Sequence, residues 1–428
     1  MGTFKPEKFT SRFQGVKWEP FALLFLLEIL FALLVLLAPG TTDASNFFLV
    51  WMDRALKDGL IASYQAITDD YPPLSSVILF IVAKIGAPFS LGTFLSFKSS
   101  LVAALLCTTI CFACWTRDAV LTAVLAFSLG LNGVALGYID TYWAPTFILS
   151  LWALRENKIA LFSGLFALSS LIKWQPLIVA PFLVLHAFSV PVGHPYSVRV
   201  LARRSVELIV PAAAVILPVL LVFGLRPMVA SLDHALNQEL LSGDALNFNW
   251  LVTWFIEAFH PEWYGGMSNG VVKAIIIDPS AGWAAAIKLI FVLFYLSTFW
   301  RLFRARASFS ATIQCSLVGY LAYFVVSVGV HENHLFLATI LAVLAASLTQ
   351  SGGPRAVFVV AASNLNLIAF YGFTGTPLNF SPVVGVDVSV IFSAVNVLFF
   401  LLLWGELIFR GARHPPIVSN VGDSLRTS

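Results

Sequence analysis

A handful of ionisable residues in this chain sit where apolar runs begin or end, and their types are those of hydroxyl and phosphate chemistry. Asp43 follows the first apolar run and precedes Asn46. A carboxylate held where a helix leaves a membrane is suited to act as general base toward a hydroxyl. The same position also suits an Asp that caps a helix over 46–57. In Asp69-Asp70-Tyr71-Pro72-Pro73-Leu74 the two prolines fix an extended backbone, and an adjacent acid pair is costly unless water or a cation attends it. The bland reading is a rigid loop exit. Lys173, in Leu171-Ile172-Lys173-Trp174-Gln175-Pro176, and the group His331-Glu332-Asn333-His334 stand at later boundaries. Membrane-edge charges are functional candidates, although a snorkelling Lys or a self-satisfied His–Glu pair gives the same pattern. The His group lacks the i, i+4 histidines of a zinc-protease helix, which argues against metalloprotease chemistry. Glu28 and Lys288 lie deeper in apolar runs, where they are read as buried structural partners in preference to a transport pathway.

The elements that must hold these residues are membrane helices. Of the 428 residues, 59% are hydrophobic and 11% charged, against about 25% charged in soluble domains. This excludes a water-soluble globule, a disordered chain and a nucleic-acid-binding protein. The expected fold is all-α, a polytopic membrane protein of 12–14 transmembrane helices forming a single domain over 1–428. Within it we read an N-terminal helical module, 20–224, with an external loop at 39–73; a long external loop, 225–282; and C-terminal helices, 283–410. Cys107, Cys111, Cys114 and Cys315 all fall inside apolar runs and read as packing residues.

Lys5, Lys8, Arg12 and Lys17 precede the first run, so the positive-inside rule places the N-terminus in the cytoplasm. The first run is too long for a secretory signal core and is read as a retained span. Counting back from the C-terminus brings Arg355, the Arg301/Arg304/Arg306 group and the Arg199/Arg203/Arg204 group to the same side, and Asp140, Lys173, 225–282 and His331 to the other. One conflict of parity arises, because 74–87, 97–115 and 119–136 are three runs between two external segments. Gly130, Asn132 and Gly133 weaken the third, so it is expected to be two short helices hinged there, for 14 spans in all.

The external segment 39–73 alternates Phe47, Phe48, Trp51, Leu56 and Leu60 with Asp53, Arg54 and Lys57, the pattern of an amphipathic helix lying in the interface. The segment 225–282 is acidic and aromatic, with Trp250, Trp254, Trp263 and Tyr264 among six carboxylates. That composition suits a sugar platform and equally a membrane-interface aromatic belt.

Taken in order, these motifs resemble the GT-C superfamily of polytopic glycosyltransferases, and within it the glucosyltransferases that use dolichyl-phosphate-glucose and their bacterial relatives with polyprenyl-phosphate sugars. Asp43 stands where that family has its catalytic loop carboxylate. Asp70-Tyr71-Pro72-Pro73-Leu74 resembles its Asp-Tyr-Pro-Pro-Leu signature, and Gly137-Tyr138-Ile139-Asp140 its Gly-Gln-x-Asp, with Tyr138 in place of Gln. Lys173-Trp174-Gln175 is similar to a Lys-Gln pair at the same boundary. Val330-His331-Glu332 is similar to the start of Val-His-Glu-Lys, with Asn333 in place of Lys. Ala245-Leu246-Asn247-Phe248-Asn249-Trp250 resembles the Asn-aromatic segment of the long loop.

The resemblance implies an inverting transfer of a hexose, as in glucosyltransferases and mannosyltransferases, from a polyprenyl-phosphate donor to a lipid-linked or glycan acceptor. Asp43 would be the base. Lys173, Arg226 and His331 would bind the donor phosphate, whose developing charge needs cations as the anomeric bond breaks. Asp69, Asp70, Tyr71, Asp140, Gln175, Glu332, Asn247 and Trp250 would bind substrate. No cofactor is called for, with a divalent metal left open. The partners are then the donor, the acceptor and membrane lipids, with no nucleic acid. The expected location is a bacterial cytoplasmic membrane with a periplasmic site, the endoplasmic reticulum membrane being the alternative. The rival class is a lipid or sugar transporter or flippase, which would show internal repeats and midplane charges. No repeat is evident, and the charges gather on one face. A membrane O-acyltransferase would need an intramembrane His near an Asn, whereas His331 is beside Glu332.

Overall fold

The computed structural model describes residues 19–66, 71–189, 197–260, 264–266, 273–275, 282–305, 308–349, 352–376, 383 and 386–410. Helix accounts for 84% of the structure, in 17 helices, and the protein is an all-α polytopic membrane protein. Among the described residues, six helices are long and apolar enough to cross a bilayer unaided.

The chain begins with α1 (Glu19–Val35). Its first turns, Phe21 and Leu24, cluster with Ala113, Ala119 and Ala123. Just past its other end, Gly40 N–H donates to Thr374 O (3.1 Å) and Thr41 N–H to Leu136 O (2.8 Å). α1 therefore defines two ends of the bundle, and Asp43 lies at the second. A π-helical turn (Ala44–Phe48) leads into α2 (Leu49–Asp58) and α3 (Leu60–Ala66). α2 has the expected amphipathic character, with Trp51, Met52 and Ala55 buried and Asp53, Arg54 and Lys57 exposed.

α4 (Pro73–Gly86) departs from expectation. It packs on α2 and leads, through a short 3-10 turn, to α5 (Thr93–Thr116). The Phe48 ring, beside Tyr71 just before α4 (5.8 Å), is also 5.9 Å from Phe97 at the start of α5. Gly86 packs against Ser96 so closely that no Cβ would fit between them. Both ends of α4 thus stay at the Asp43 end, and α4 does not cross. Only α5 and α6 (Ala119–Leu129) separate it from Asp140, which removes the conflict of parity without a hinge.

The run 119–136 is accordingly one helix and not two: α6 continues into a π-helical turn (Gly130–Ala135). The chain reverses at Gly137, whose φ of +79° favours glycine. A 3-10 turn (Ile139–Tyr142) follows and carries Asp140. The carbonyls freed by the widened turn are met by Lys98 of α5, fully buried, whose Nζ donates to Val134 O and to Ala135 O (3.0 Å).

The bundle continues with α7 (Ala144–Arg155), α8 (Ile159–Ile172), a 3-10 turn (Gln175–Val179) with α9 (Ala180–Ala187), and α10 (Val198–Phe223). They continue as α13 (Gly282–Arg304), α14 (Phe309–Val326), α15 (Leu335–Leu348), α16 (Gly353–Tyr371) and α17 (Val388–Gly405). With α1, α5 and α6 these are twelve helical segments among the described residues, six of them long and apolar enough by length and composition to cross a bilayer. α15 is apolar all round and buried over Leu335–Ala345, as a central helix must be. Between α10 and α13 lie α11 (Leu225–Leu236), β1 (Ser242–Gly243), α12 (Phe248–Phe259) and an antiparallel pair, β2 (Tyr264–Gly266) with β3 (Lys273–Ile275). β1 pairs in parallel with β4 (Val330–His331), which ties the long loop to the N-terminus of α15.

Glu28 and Lys288 do not neutralise one another. Glu28 accepts a hydrogen bond from Thr109 (3.0 Å), whereas Lys288 is half-buried beside Asn237 (3.4 Å).

Candidate active site

Five elements deliver side chains to one end of the bundle. Asp43 comes from the loop after α1, Asp140 from the 3-10 turn after Gly137, and Lys173 from the end of α8. Asp244 follows β1, and His331 and Glu332 close the α14–α15 connection.

The firmest contact is ionic: Lys173 Nζ lies 2.7 Å from Asp140 Oδ2, with Lys173 6% and Asp140 0% exposed. Asn333 Nδ2 donates to the same oxygen (3.3 Å). Asp140 Oδ1 is buried without a partner among the described residues. The ammonium also reaches Tyr71 OH (3.5 Å) and lies 5.0 Å from the centre of that ring, which packs edge-on against Trp51 and Phe48. The Tyr-Pro-Pro exit is thereby joined to the Lys173–Asp140 pair.

A second cluster forms around Glu332. Its Oε1 accepts from Tyr138 OH (2.5 Å) and Tyr371 OH (3.4 Å), and its Oε2 is 3.9 Å from His331 Nδ1. Tyr138 and Asn333, the two departures from the motif pattern, thus both contact site carboxylates. His331 is seated over Gly243, where a Cβ would lie 2.5 Å from its Nδ1; only glycine leaves room for the imidazole.

Asp43 makes no side-chain cap to the turn that follows it, which removes the capping role considered from sequence. It is half-buried, and desolvation, reinforced by the charge of Glu332, pushes its carboxyl up to about 7 against the opposing pull of His331 and Lys173. A carboxyl so placed is half ionised near neutrality and fit to take a proton.

Asp244 is a site residue that sequence reasoning did not single out. It is 2% exposed, and its Oδ2 has no partner among the described residues. Its backbone is left-handed (φ +54°), a conformation Asp tolerates better than most residues. It bridges His331 along the backbone, and its carbonyl accepts from Asn366 Nδ2 (3.1 Å). Burial, with Glu332 and Asp43 nearby, raises its carboxyl well above the ordinary range. Its only sequence signal is its place just before Ala245-Leu246-Asn247.

The other expected residues are distributed differently. Asp69 and Asp70 lie outside the described residues. Gln175 is 5% exposed with both amide atoms unpartnered among the described residues, beside Lys173 in the chain. Asn247 is engaged in the framework: it caps α12 by accepting from Trp250 N–H (3.0 Å) and donates to Phe324 O (2.9 Å). Trp250 donates its indole N–H to Ser389 (2.8 Å) and packs on Phe370. Both therefore fasten α12 to the bundle. Arg226 is exposed on α11, an element apart from the Lys173–Asp140 pair. No three His, Cys, Asp or Glu side chains among the described residues converge as metal ligands.

No family model matches this sequence, and no curated protein is matched by it. The arrangement itself defines a class: a membrane protein with a half-buried acid, a buried Lys–Asp pair and orphaned carboxyl oxygens gathered at one end of its helices. Among the described residues these oxygens have no donor, which leaves them open to hydrogen bonds from water or a ligand.

Proposed function

We propose that the protein is an inverting glycosyltransferase of the GT-C type, moving a hexose from a polyprenyl-phosphate donor to a lipid-linked or glycan acceptor. The observation that carries the reading is the convergence of Asp43, the Lys173–Asp140 pair, Asp244 and His331–Glu332, with unpartnered oxygens on Asp140 and Asp244. Hydroxyl groups of a sugar supply the donors those oxygens lack.

In this reaction the acceptor O–H gives its proton to Asp43 as its oxygen forms the new bond at the anomeric carbon. The bond from that carbon to the phosphate oxygen breaks on the opposite face, and the electron pair leaves with the polyprenyl phosphate. Among the described residues, the Lys173 ammonium and the His331 imidazole stand beside this carboxylate cluster and offset the growing phosphate charge by charge and by N–H donation. Asp140 holds Lys173 in place. The site has more acids than cations, so the raised carboxyl of Asp43 limits the negative charge that an incoming phosphate meets.

The test is transfer of radiolabelled sugar from synthetic polyprenyl-phosphate hexoses and pentoses to membrane lipid extract, with purified wild type and Asp43→Asn compared in detergent. Label is expected to move with wild type alone. Full turnover by Asp43→Asn would remove that residue from the mechanism. Net uptake of a sugar or lipid into vesicles without any phosphate donor would make the protein a transporter.

A further inference from the structure

The bundle has a second polar feature, at the end opposite the site. A cavity of about 360 Å³ opens there between α13, α14, α15, α16 and α17. That volume is within the range that holds small ligands, about 300–1,000 Å³. Its rim carries Arg301, Arg355, Gln314 and Glu406, and its deeper wall includes Leu317 and Leu403.

Among the described residues the rim has a net positive charge, two guanidiniums against one carboxylate. Arg355 Nη2 lies 2.7 Å from Glu406 Oε1, which orients the guanidinium, and Arg301 Nε donates to Leu407 O (3.3 Å). A guanidinium presents five N–H donors in a planar fork, the geometry that matches a phosphate. Gly352, just before α16, also lines the cavity and brings the positive end of a helix to the same rim. This is the end that gathers the arginines and that the positive-inside rule assigns to the cytoplasm.

We propose that this cavity binds the headgroup of an anionic phospholipid from the cytoplasmic leaflet, with the phosphate on Arg301 and Arg355 and the glycerol end of the chains against Leu317 and Leu403. Charge selects the phosphate. The apolar depth selects a lipid over a free anion, because a small ion leaves that wall with nothing to cover it. The location, at the ends of five membrane helices, is where a leaflet presents its phosphates. The inference is independent of the reaction proposed at the other end.

Native mass spectrometry of the purified full-length protein tests it, with phosphatidylglycerol, phosphatidylcholine or inorganic phosphate added in turn. Retention of phosphatidylglycerol over phosphatidylcholine is expected, with no competition from millimolar inorganic phosphate. The double variant R301Q/R355Q is expected to weaken phosphatidylglycerol binding by about tenfold or more, each basic residue near a membrane surface being worth roughly fivefold. R199Q/R203Q, which removes the same charge from exposed positions on α10, is expected to leave binding unchanged. Should R301Q/R355Q fail to fold, Ala345→Leu fills the cavity without a change of charge and is expected to weaken binding likewise. Equal retention of both lipids, equal loss in the two double variants, or displacement by inorganic phosphate would overturn the proposal.

Discussion

At the scale of single residues, Asp43 combines a base's chemistry with a stability cost. Its carboxyl stands near 7 in the folded protein and near 4 in an unfolded chain. The folded state therefore holds an extra proton between those values. Its contribution to stability is fully present below about pH 4 and is lost as pH rises through about 7. In the proposed reaction the ionised form is the base, so the pH-rate profile of sugar transfer is expected to rise with a limb near 7. Asp43→Asn keeps the shape without the charge. It is expected to reduce transfer by at least a hundredfold while raising the melting temperature by a few degrees at pH 8. A variant that melts lower than wild type at that pH would contradict the desolvation argument. Lys173, Asp140, His331 and Glu332 were legible beforehand because an ionisable residue beside an apolar run costs energy that some purpose must offset. Asp244 was not, because it lies among other acids in a polar loop, and only the pairing of β1 with β4 buries it.

At the scale of elements, the fold turns on how the π-helical turn at Gly130–Ala135 is held open. Replacing Lys98 by Met would leave the Val134 and Ala135 carbonyls buried without donors, at about 1–3 kcal/mol for each group. Lys98→Met is therefore expected to melt several degrees below wild type. It is also expected to lose transfer activity, since the same turn carries the chain to Asp140. A variant with unchanged melting would show that the carbonyls find other partners. The sequence pointed to Gly130, Asn132 and Gly133 as a hinge between two helices, where the structure instead has the widened last turn of one helix. Its form was not legible, because a widened last turn and a hinge use the same residues. The role of Lys98 was hidden too, since its partners are backbone atoms with no sequence signature.

For the whole molecule, the lesson concerns α4. Hydropathy marks Pro73–Gly86 as apolar, and it is, but apolar content records burial without saying whether lipid or protein does the burying. Here α2 and α5 contribute, and the chain turns back at Gly86 on the side from which it came. Lys84, exposed near the end of α4, therefore shares a side with Ser45. In a cysteine-free background, Lys84→Cys and Ser45→Cys are both expected to react with a membrane-impermeant maleimide applied to the site face. Labelling of Lys84→Cys only from the opposite face would restore α4 as a span.

The parallel pairing of Ser242–Gly243 with Val330–His331 joins two segments nearly ninety residues apart through backbone atoms alone. Such a seam holds whichever side chains are attached, apart from the glycine beneath the imidazole. Mutation can therefore rework the outward groups of the loop while its attachment persists, so descendants of this scaffold are able to change what they recognise without first having to refold.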